Sequence, residues 1–175
     1  MSAIAGIPEV IHDFNLYNSG NVMSGHTGEV KLPDFEAMTE TISGAGILGE
    51  YEAPIPGHFG SMEQEIPFNC INEDYFRMVD PTESMELTLR GAIQYTVKAT
   101  QQTDYMGMRV VLRGKPKKLT IGTVKQRGKM DSLVVLELTY IMIEMDGKKR
   151  VELDKINGTY KINGVDVLSK VKQFT

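Results

Sequence analysis

The chain has 175 residues, which is enough for one domain that buries most of the surface of its unfolded form. Charged residues make up 24% and hydrophobic residues 41%, a composition that argues against a disordered chain. The net charge of −4 argues against a dedicated nucleic-acid-binding protein, unless the basic residues gather on one face. We therefore predict a single folded domain over residues 1–175, with no membrane-spanning segment.

The first sixty residues predict a hairpin, a strand and a long loop. Residues 10–17 can form a strand that Asn18-Ser-Gly-Asn21 turns back, so we expect an N-terminal hairpin over residues 10–27. Residues 37–42 can form a further strand. Residues 43–60 contain five glycines and two prolines, which predicts a long irregular loop. Loops of this length usually have a functional or interaction role.

Residues 61–79 predict a strand followed by the one helix that the sequence supports. Residues 61–68 place apolar and acidic side chains alternately, as in a half-buried strand. A short helix is predicted over residues 72–79, because Asn72 can cap its N-terminus and acidic residues follow. Tyr75, Phe76 and Val79 have helical spacing, and Pro81 ends the segment.

Strands with a clear period of two fill the second half of the sequence. Residues 85–98 and 105–113 each separate apolar from polar side chains, which predicts an antiparallel pair. Residues 131–145 are apolar on both faces, and a strand of this kind is covered on both. We expect its second cover to be the helix or a neighbouring copy of the protein.

Two dipeptides near the C-terminus predict tight hairpins. Asp146-Gly147 and Asn163-Gly164 lie between alternating runs and readily adopt the positive φ angles of type I′ turns. The predicted fold class is therefore mainly β, an antiparallel β sandwich or barrel with one flanking α-helix. Its long edges would require closure or oligomerisation.

The sequence offers no constellation of catalytic, cofactor-binding or metal-binding residues. Residues 44–49 match the Gly-x-Gly-x-x-Gly pattern, but Pro54 and Pro56 oppose the helix that a dinucleotide site needs. His12, His26 and His58 lack the spacing of metal ligands. We therefore predict that the protein is not an enzyme and binds no cofactor.

A basic segment over residues 113–129 contains seven cations and no acid. Such a segment can bind a polyanion. It lacks the interleaved aromatic residues on which single-stranded nucleic acids stack. An exposed loop that pairs with acids on a neighbouring subunit explains it equally well, and both interpretations stay open.

The second half of the sequence contains a series of distinctive motifs: Met108-Arg-Val-Val-Leu-Arg-Gly114, Gly122-Thr-Val-Lys-Gln-Arg-Gly128, Leu138-Thr-Tyr140, Asp146-Gly147, Glu152-Leu-Asp154, Ile156-Asn157 and Asn163-Gly-Val-Asp166. Together these motifs resemble the major tail tube protein family of contractile phages, which includes the tube proteins of R-type bacteriocins. The resemblance is strong over residues 108–172 and weaker over residues 31–59. It implies a tail-tube-like β sandwich that polymerises as stacked hexameric rings into the inner tube of a contractile tail.

The resemblance also implies partners and a location. The partners would be further copies of the chain, the sheath protein, the tape-measure protein, the baseplate tube initiator and the tail terminator. In a phage, DNA would be only a passing cargo, and the chain alone would not insert into a membrane. The protein would lie in the virion or bacteriocin particle after assembly in the cytoplasm of the host bacterium.

By the same resemblance, two sets of residues are candidates for contacts. Ring-to-ring contacts are expected at Asn18, Asn21, Gly46, Ile47, Leu48 and Tyr51. Residues at the subunit seam or facing the sheath are expected to be Lys115, Lys117, Lys118, Lys125, Arg127 and Lys129. The alternative function is a monomeric β-barrel module that binds nucleic acid through residues 113–129.

Overall fold

Long antiparallel strands dominate the computed structural model, which describes residues 6–175. Strands hold 57% of these residues and helices 6%. The strands are β1 (Gly6–Asn18), β2 (Asn21–Val22), β3 (Ala37–Ser43), β4 (Glu50–Phe59), β5 (Glu63–Phe68), β6 (Met85–Val97), β7 (Thr103–Thr120), β8 (Ser132–Met145), β9 (Lys148–Asp154), β10 (Thr159–Ile162) and β11 (Val165–Asp166). The helices are α1 (Glu73–Phe76) and α2 (Ser169–Phe174).

Strand β8 is the central strand of the main sheet, because it pairs with three other strands. It pairs with β7 from Leu133 to Met145, with β5 along its first half and with β9 along its second half. The sheet has the order β11-β10-β9-β8-β7-β6-β1-β2, with β5 beside β8 and off this path. Strands β3 and β4 form a separate two-stranded sheet. Neither sheet closes, and the predicted antiparallel β fold with a flanking helix is confirmed.

The core lies on one face of the main sheet, and the period of two in the strands creates it. Cross-strand pairs on this face include Leu87 with Leu112 and Ile66 with Val134, and all four side chains are buried. Other core members are Leu16, Met62, Phe68, Tyr75, Met78, Leu89, Val110, Leu136, Leu138, Ile141 and Leu153. Because Tyr75 and Met78 belong to this cluster, the α1 region packs on the core face of the sheet.

The opposite face of β7 and β8 also contains buried apolar side chains. Val111 lies directly across from Met142, and both are buried. The next pair on this face is Arg113 and Tyr140, and the guanidinium carbon of Arg113 lies 4.4 Å from the centre of the Tyr140 ring. The Tyr140 hydroxyl donates a hydrogen bond of 3.0 Å to Glu152. The sequence predicted the helix or another copy as the second cover of this strand, and Val111 and Met142 are already buried within a single copy.

Three segments differ from the sequence prediction. The predicted loop over residues 43–60 is wrong for its second half, because Glu50–Phe59 is strand β4. Helix α1 is shorter than residues 72–79, although Asn72 caps it by accepting a hydrogen bond of 2.9 Å from the Tyr75 amide. Helix α2 was not predicted. Neither helix within residues 6–175 has the length and hydropathy needed to cross a membrane.

The loop between β7 and β8, residues 121–131, has a fixed base. The Thr123 amide donates to the Met130 carbonyl over 2.9 Å, and the Met130 amide donates to the Asn69 carbonyl over 2.8 Å. The Ser132 hydroxyl donates to the Ile121 carbonyl over 2.6 Å. Gly122 has a φ of 99°, and a Cβ at this position would collide with the Met130 carbonyl oxygen. The loop base therefore needs glycine at position 122.

Gly122→Ala is expected to destabilise the protein by about 1–3 kcal/mol, because it adds backbone strain and a steric clash. Gly128→Ala is the matched control in the same loop. Position 128 has no positive φ, and the atoms nearest to an added Cβ would be carbons of the flexible Lys125 side chain, at 3.2–3.3 Å. The control should change the free energy of unfolding by less than about 0.5 kcal/mol. Equal urea midpoints for the two variants would contradict this account of the loop base.

The Tyr140 hydroxyl gives the stability a dependence on alkaline pH. Its burial and its hydrogen bond to Glu152 raise the pKa of Tyr140 to about 12, from the ordinary value of 10.0. Because the folded-state pKa is the higher one, this contribution is complete below about pH 10 and is lost as the pH rises toward 12. The free energy of unfolding of the wild type should therefore fall more steeply than that of Tyr140→Phe over this window. Parallel pH curves in urea titrations would contradict the prediction.

Candidate functional site

Two exposed surfaces, rather than a pocket with catalytic groups, contain most of the residues that the sequence singles out. Within residues 6–175, no group of histidine, cysteine, aspartate and glutamate side chains is arranged to hold a metal ion. The glycine-rich residues 44–49 connect two antiparallel strands, and the strand β4 follows them. A dinucleotide site needs a helix at this point, so these glycines form a hairpin tip instead.

The first surface is the β3–β4 hairpin, residues 37–59, which is attached to the main sheet only near its base. The Gly60 amide donates to the Glu36 carbonyl over 3.3 Å, and the Lys155 ammonium donates to the Gly60 carbonyl over 2.7 Å. The Phe59 ring packs edge-on against Tyr160 with ring centres 5.2 Å apart. These contacts fix the base of the hairpin beside β9 and β10.

The part of the hairpin beyond its base is both apolar and acidic. Leu48 at the tip is fully exposed, and Met38 and Tyr51 are each 54% exposed. The exposed acids on its two strands are Glu40, Glu50 and Glu52. No lysine or arginine occurs between residues 32 and 60. This surface can therefore bind a partner that is apolar at its centre and basic around it.

Four of the six predicted ring-contact residues lie together on this hairpin. Gly46 has a φ of 88° in the tip, and the Ile47 amide donates to the Gly44 carbonyl over 3.1 Å. Leu48 follows in the tip, and Tyr51 lies at the second position of β4. The other two, Asn18 and Asn21, lie across from each other at the β1–β2 turn, which is a different hairpin.

The second surface is the basic segment, and the structure divides its six predicted residues between a strand and a loop. Lys115, Lys117 and Lys118 lie on β7, and the β7–β8 loop contains Lys125, Arg127 and Lys129. Lys117 is already paired, since it donates to Glu63 over 2.5 Å and to Glu137 over 3.2 Å. The hydrogen bond to Glu63 makes the largest contribution to raising the pKa of Lys117, and the hydrogen bond to Glu137 raises it further.

The β7–β8 loop also exposes apolar side chains that the sequence analysis did not single out. Ile121 is 64% exposed and Val124 is 88% exposed. In this part of the described chain, Lys125, Arg127 and Lys129 are all exposed and form no ion pair within residues 6–175. The sequence could have indicated this exposed pair, because Ile121 and Val124 lie among cations in a segment rich in turn-forming residues. The loop therefore combines two exposed apolar side chains with three cations and one exposed acid, Asp131.

Open strand edges form a third feature of the surface. Strand β1 pairs with β6 on one side, but on the other side it pairs with β2 only at Tyr17 and Asn18. Ile7, Val10 and Ile11 on β1 are each more than half exposed. An edge with free backbone groups and exposed apolar side chains is a template for pairing with another chain.

Comparison with known proteins shows the family to which the chain is related. The model of the family described as phage tail tube protein FII matches residues 8–174. The tail tube protein of Escherichia phage P2 is 27% identical over 165 residues, which cover 94% of this chain and 95% of that protein.

A solved structure has a similar fold. It comes from the cryo-EM structure of an extracellular contractile injection system, the PVC sheath/tube terminator in the extended state. The TM-score is 0.52 with 14% sequence identity, and the similarity covers 79% of this chain and 97% of that chain. At this identity the likeness concerns the fold alone.

The family match spans nearly the whole chain and confirms the resemblance that the sequence motifs indicate. The family consists of structural proteins of tails and is not an enzyme family. The chain therefore belongs to the phage tail tube protein FII family and is a structural component of a phage tail or tail-like particle.

Proposed function

We propose that copies of this chain form hexameric rings, and that these rings stack into the inner tube of a contractile phage tail or phage-tail-like bacteriocin. The observation that carries the proposal is the β3–β4 hairpin with its exposed apolar tip. An isolated two-stranded hairpin is at best marginally stable in water, and fully burying a leucine side chain contributes about 1.5–3 kcal/mol. A contact with the next ring would stabilise the hairpin and bury Leu48.

Ring closure uses the open edges of the main sheet in this proposal. The β1 edge and its apolar side chains Ile7, Val10 and Ile11 would meet an edge of the neighbouring copy. Lys115 and Lys118 lie on β7 beyond the point where β6 ends, so they would lie near a seam or face the sheath. Six identical contacts of this heterologous kind close a ring.

The remaining ring-contact candidates, Asn18 and Asn21, would add polar contacts at the β1–β2 turn. The tube would form inside the sheath, around a tape-measure protein, from a baseplate initiator to a terminator. DNA would pass through it in a phage and would be absent in a bacteriocin. Assembly would take place in the cytoplasm of the host bacterium.

The alternative is a monomeric module that binds nucleic acid through residues 113–129. Two observations weigh against it: Lys117 is paired with Glu63 and Glu137, and the segment has no aromatic residue on which a base could stack. It predicts a monomer whose DNA affinity falls steeply with salt.

Leu48→Asp is expected to leave folding unchanged and to prevent ring stacking. Because the side chain is fully exposed, the free energy of unfolding should change by less than about 0.5 kcal/mol. Placing a carboxylate in an apolar contact should leave single rings where the wild type forms tubes. Negative-stain electron microscopy and light scattering over a range of protein concentrations measure this outcome.

Ile156→Asp is the matched control, since Ile156 is 76% exposed on the turn between β9 and β10. This variant should form tubes like those of the wild type. Tubes of normal length from Leu48→Asp would contradict the role of the hairpin tip. A wild type that stays monomeric at high concentration, even with a tube initiator, would overturn the proposed function.

A further inference from the structure

The charges of the chain are strongly segregated between the two surfaces. The hairpin, residues 37–59, contains the three acids Glu40, Glu50 and Glu52 and no lysine or arginine, whereas the loop, residues 121–131, contains three cations and one acid, Asp131. The net charge of the whole chain is only −4. The acidic partner that the basic loop could bind is therefore present in every other copy of the same chain.

The two surfaces are attached at opposite ends of strand β5. At one end, the Met62 carbonyl accepts a hydrogen bond of 2.8 Å from Leu138, next to the hairpin base at Gly60. At the other end, Phe68 lies across from Ser132, and Asn69 binds the base of the β7–β8 loop. Six residues of extended strand separate these ends by about 20 Å.

No ion pair within residues 6–175 joins the hairpin to the loop. The cations of the β7–β8 loop form none, and the acids Glu40, Glu50 and Glu52 of the hairpin also form none in this part of the chain. Their charges are therefore available to another molecule. Stacking identical copies along the direction of β5 would bring the hairpin end of one copy toward the loop end of the next.

The two surfaces also match in their apolar parts. The hairpin tip exposes Leu48 and Tyr51 between the acids, and the loop exposes Ile121 and Val124 between the cations. Hydrogen bonds fix the loop base, so docking would order little additional backbone. Each surface thus combines exposed apolar side chains with charged residues, and the two net charges are opposite.

We infer that the β3–β4 hairpin of one copy docks on the β7–β8 loop of a copy in the adjacent ring. Glu50 and Glu52 lie opposite Lys125 and Arg127 in this contact, while Leu48 packs on the apolar side chains of the loop. The inference rests on the proposed function, because it names the surface that receives the hairpin. The contact joins two different patches, so it repeats from ring to ring without closing.

Charge reversal tests the pairing directly. Glu50→Lys with Glu52→Lys makes the hairpin basic, and Lys125→Glu with Arg127→Glu makes the loop acidic. Each variant alone would place like charges in contact, so the fraction of protein in tubes should fall at least about tenfold. A mixture of the two variants, prepared separately as rings, should form tubes again, since each hairpin then meets a loop of opposite charge.

The readouts are sedimentation of tubes and negative-stain electron microscopy, at low salt and at about 0.15 M salt, where screening is stronger. Glu29→Lys with Glu83→Lys is the control for the hairpin variant. It changes the net charge by the same amount, at two exposed positions outside both surfaces. This control should form tubes like those of the wild type.

Four outcomes would overturn the inference. Either reversed variant could form normal tubes alone, the mixture could fail to form tubes, or the control could fail as the hairpin variant does. In these three cases the proposed function stands if the wild type forms tubes. If the wild type itself forms neither rings nor tubes, the proposed function fails together with the inference.

Discussion

The need to cover both faces of strand β8 determines much of this structure. Val134 and Leu136 face the core, whereas Val135 and Met142 are buried on the opposite side. A strand that is apolar on both faces is stable only if other groups cover both of those faces. Strands β7, β5 and β9 pair with its edges, the α1 region packs over the core face, and the Arg113 guanidinium stacks on Tyr140 on the other face.

Local pattern was sufficient for the fold class and for most of the long strands, because the period of two and the Asp-Gly and Asn-Gly turns are properties of neighbouring residues. Asp146 and Asn163 indeed have positive φ angles. Strand β7, however, runs to Thr120, seven residues beyond its predicted end at Arg113. Strand β4 was missed because Pro54 and Pro56 usually interrupt a sheet. They are tolerated since β4 pairs only with β3. Helix α2 has no side-chain cap, so its start lacks the usual sequence signal.

The contact surfaces were only partly predictable, because they depend on which side chains remain exposed after folding. The glycine-rich tip and the basic run are visible in the sequence, and the family resemblance suggests that they contact other chains. The sequence could not show that Lys117 forms ion pairs within the chain with acids of β5 and β8. It also could not show that Ile121 and Val124 stay exposed on a loop with a fixed base.

In the proposed tube, separation of the acidic hairpin from the basic loop would give each copy an electric dipole along β5. Parallel dipoles repel when they lie side by side and attract when they lie head to tail. Six parallel copies in a ring would therefore repel one another at both rims, and the next ring would relieve this repulsion by placing opposite charges there. Ring closure and stacking would then be coupled, so that a ring within a tube is more stable than a ring in isolation.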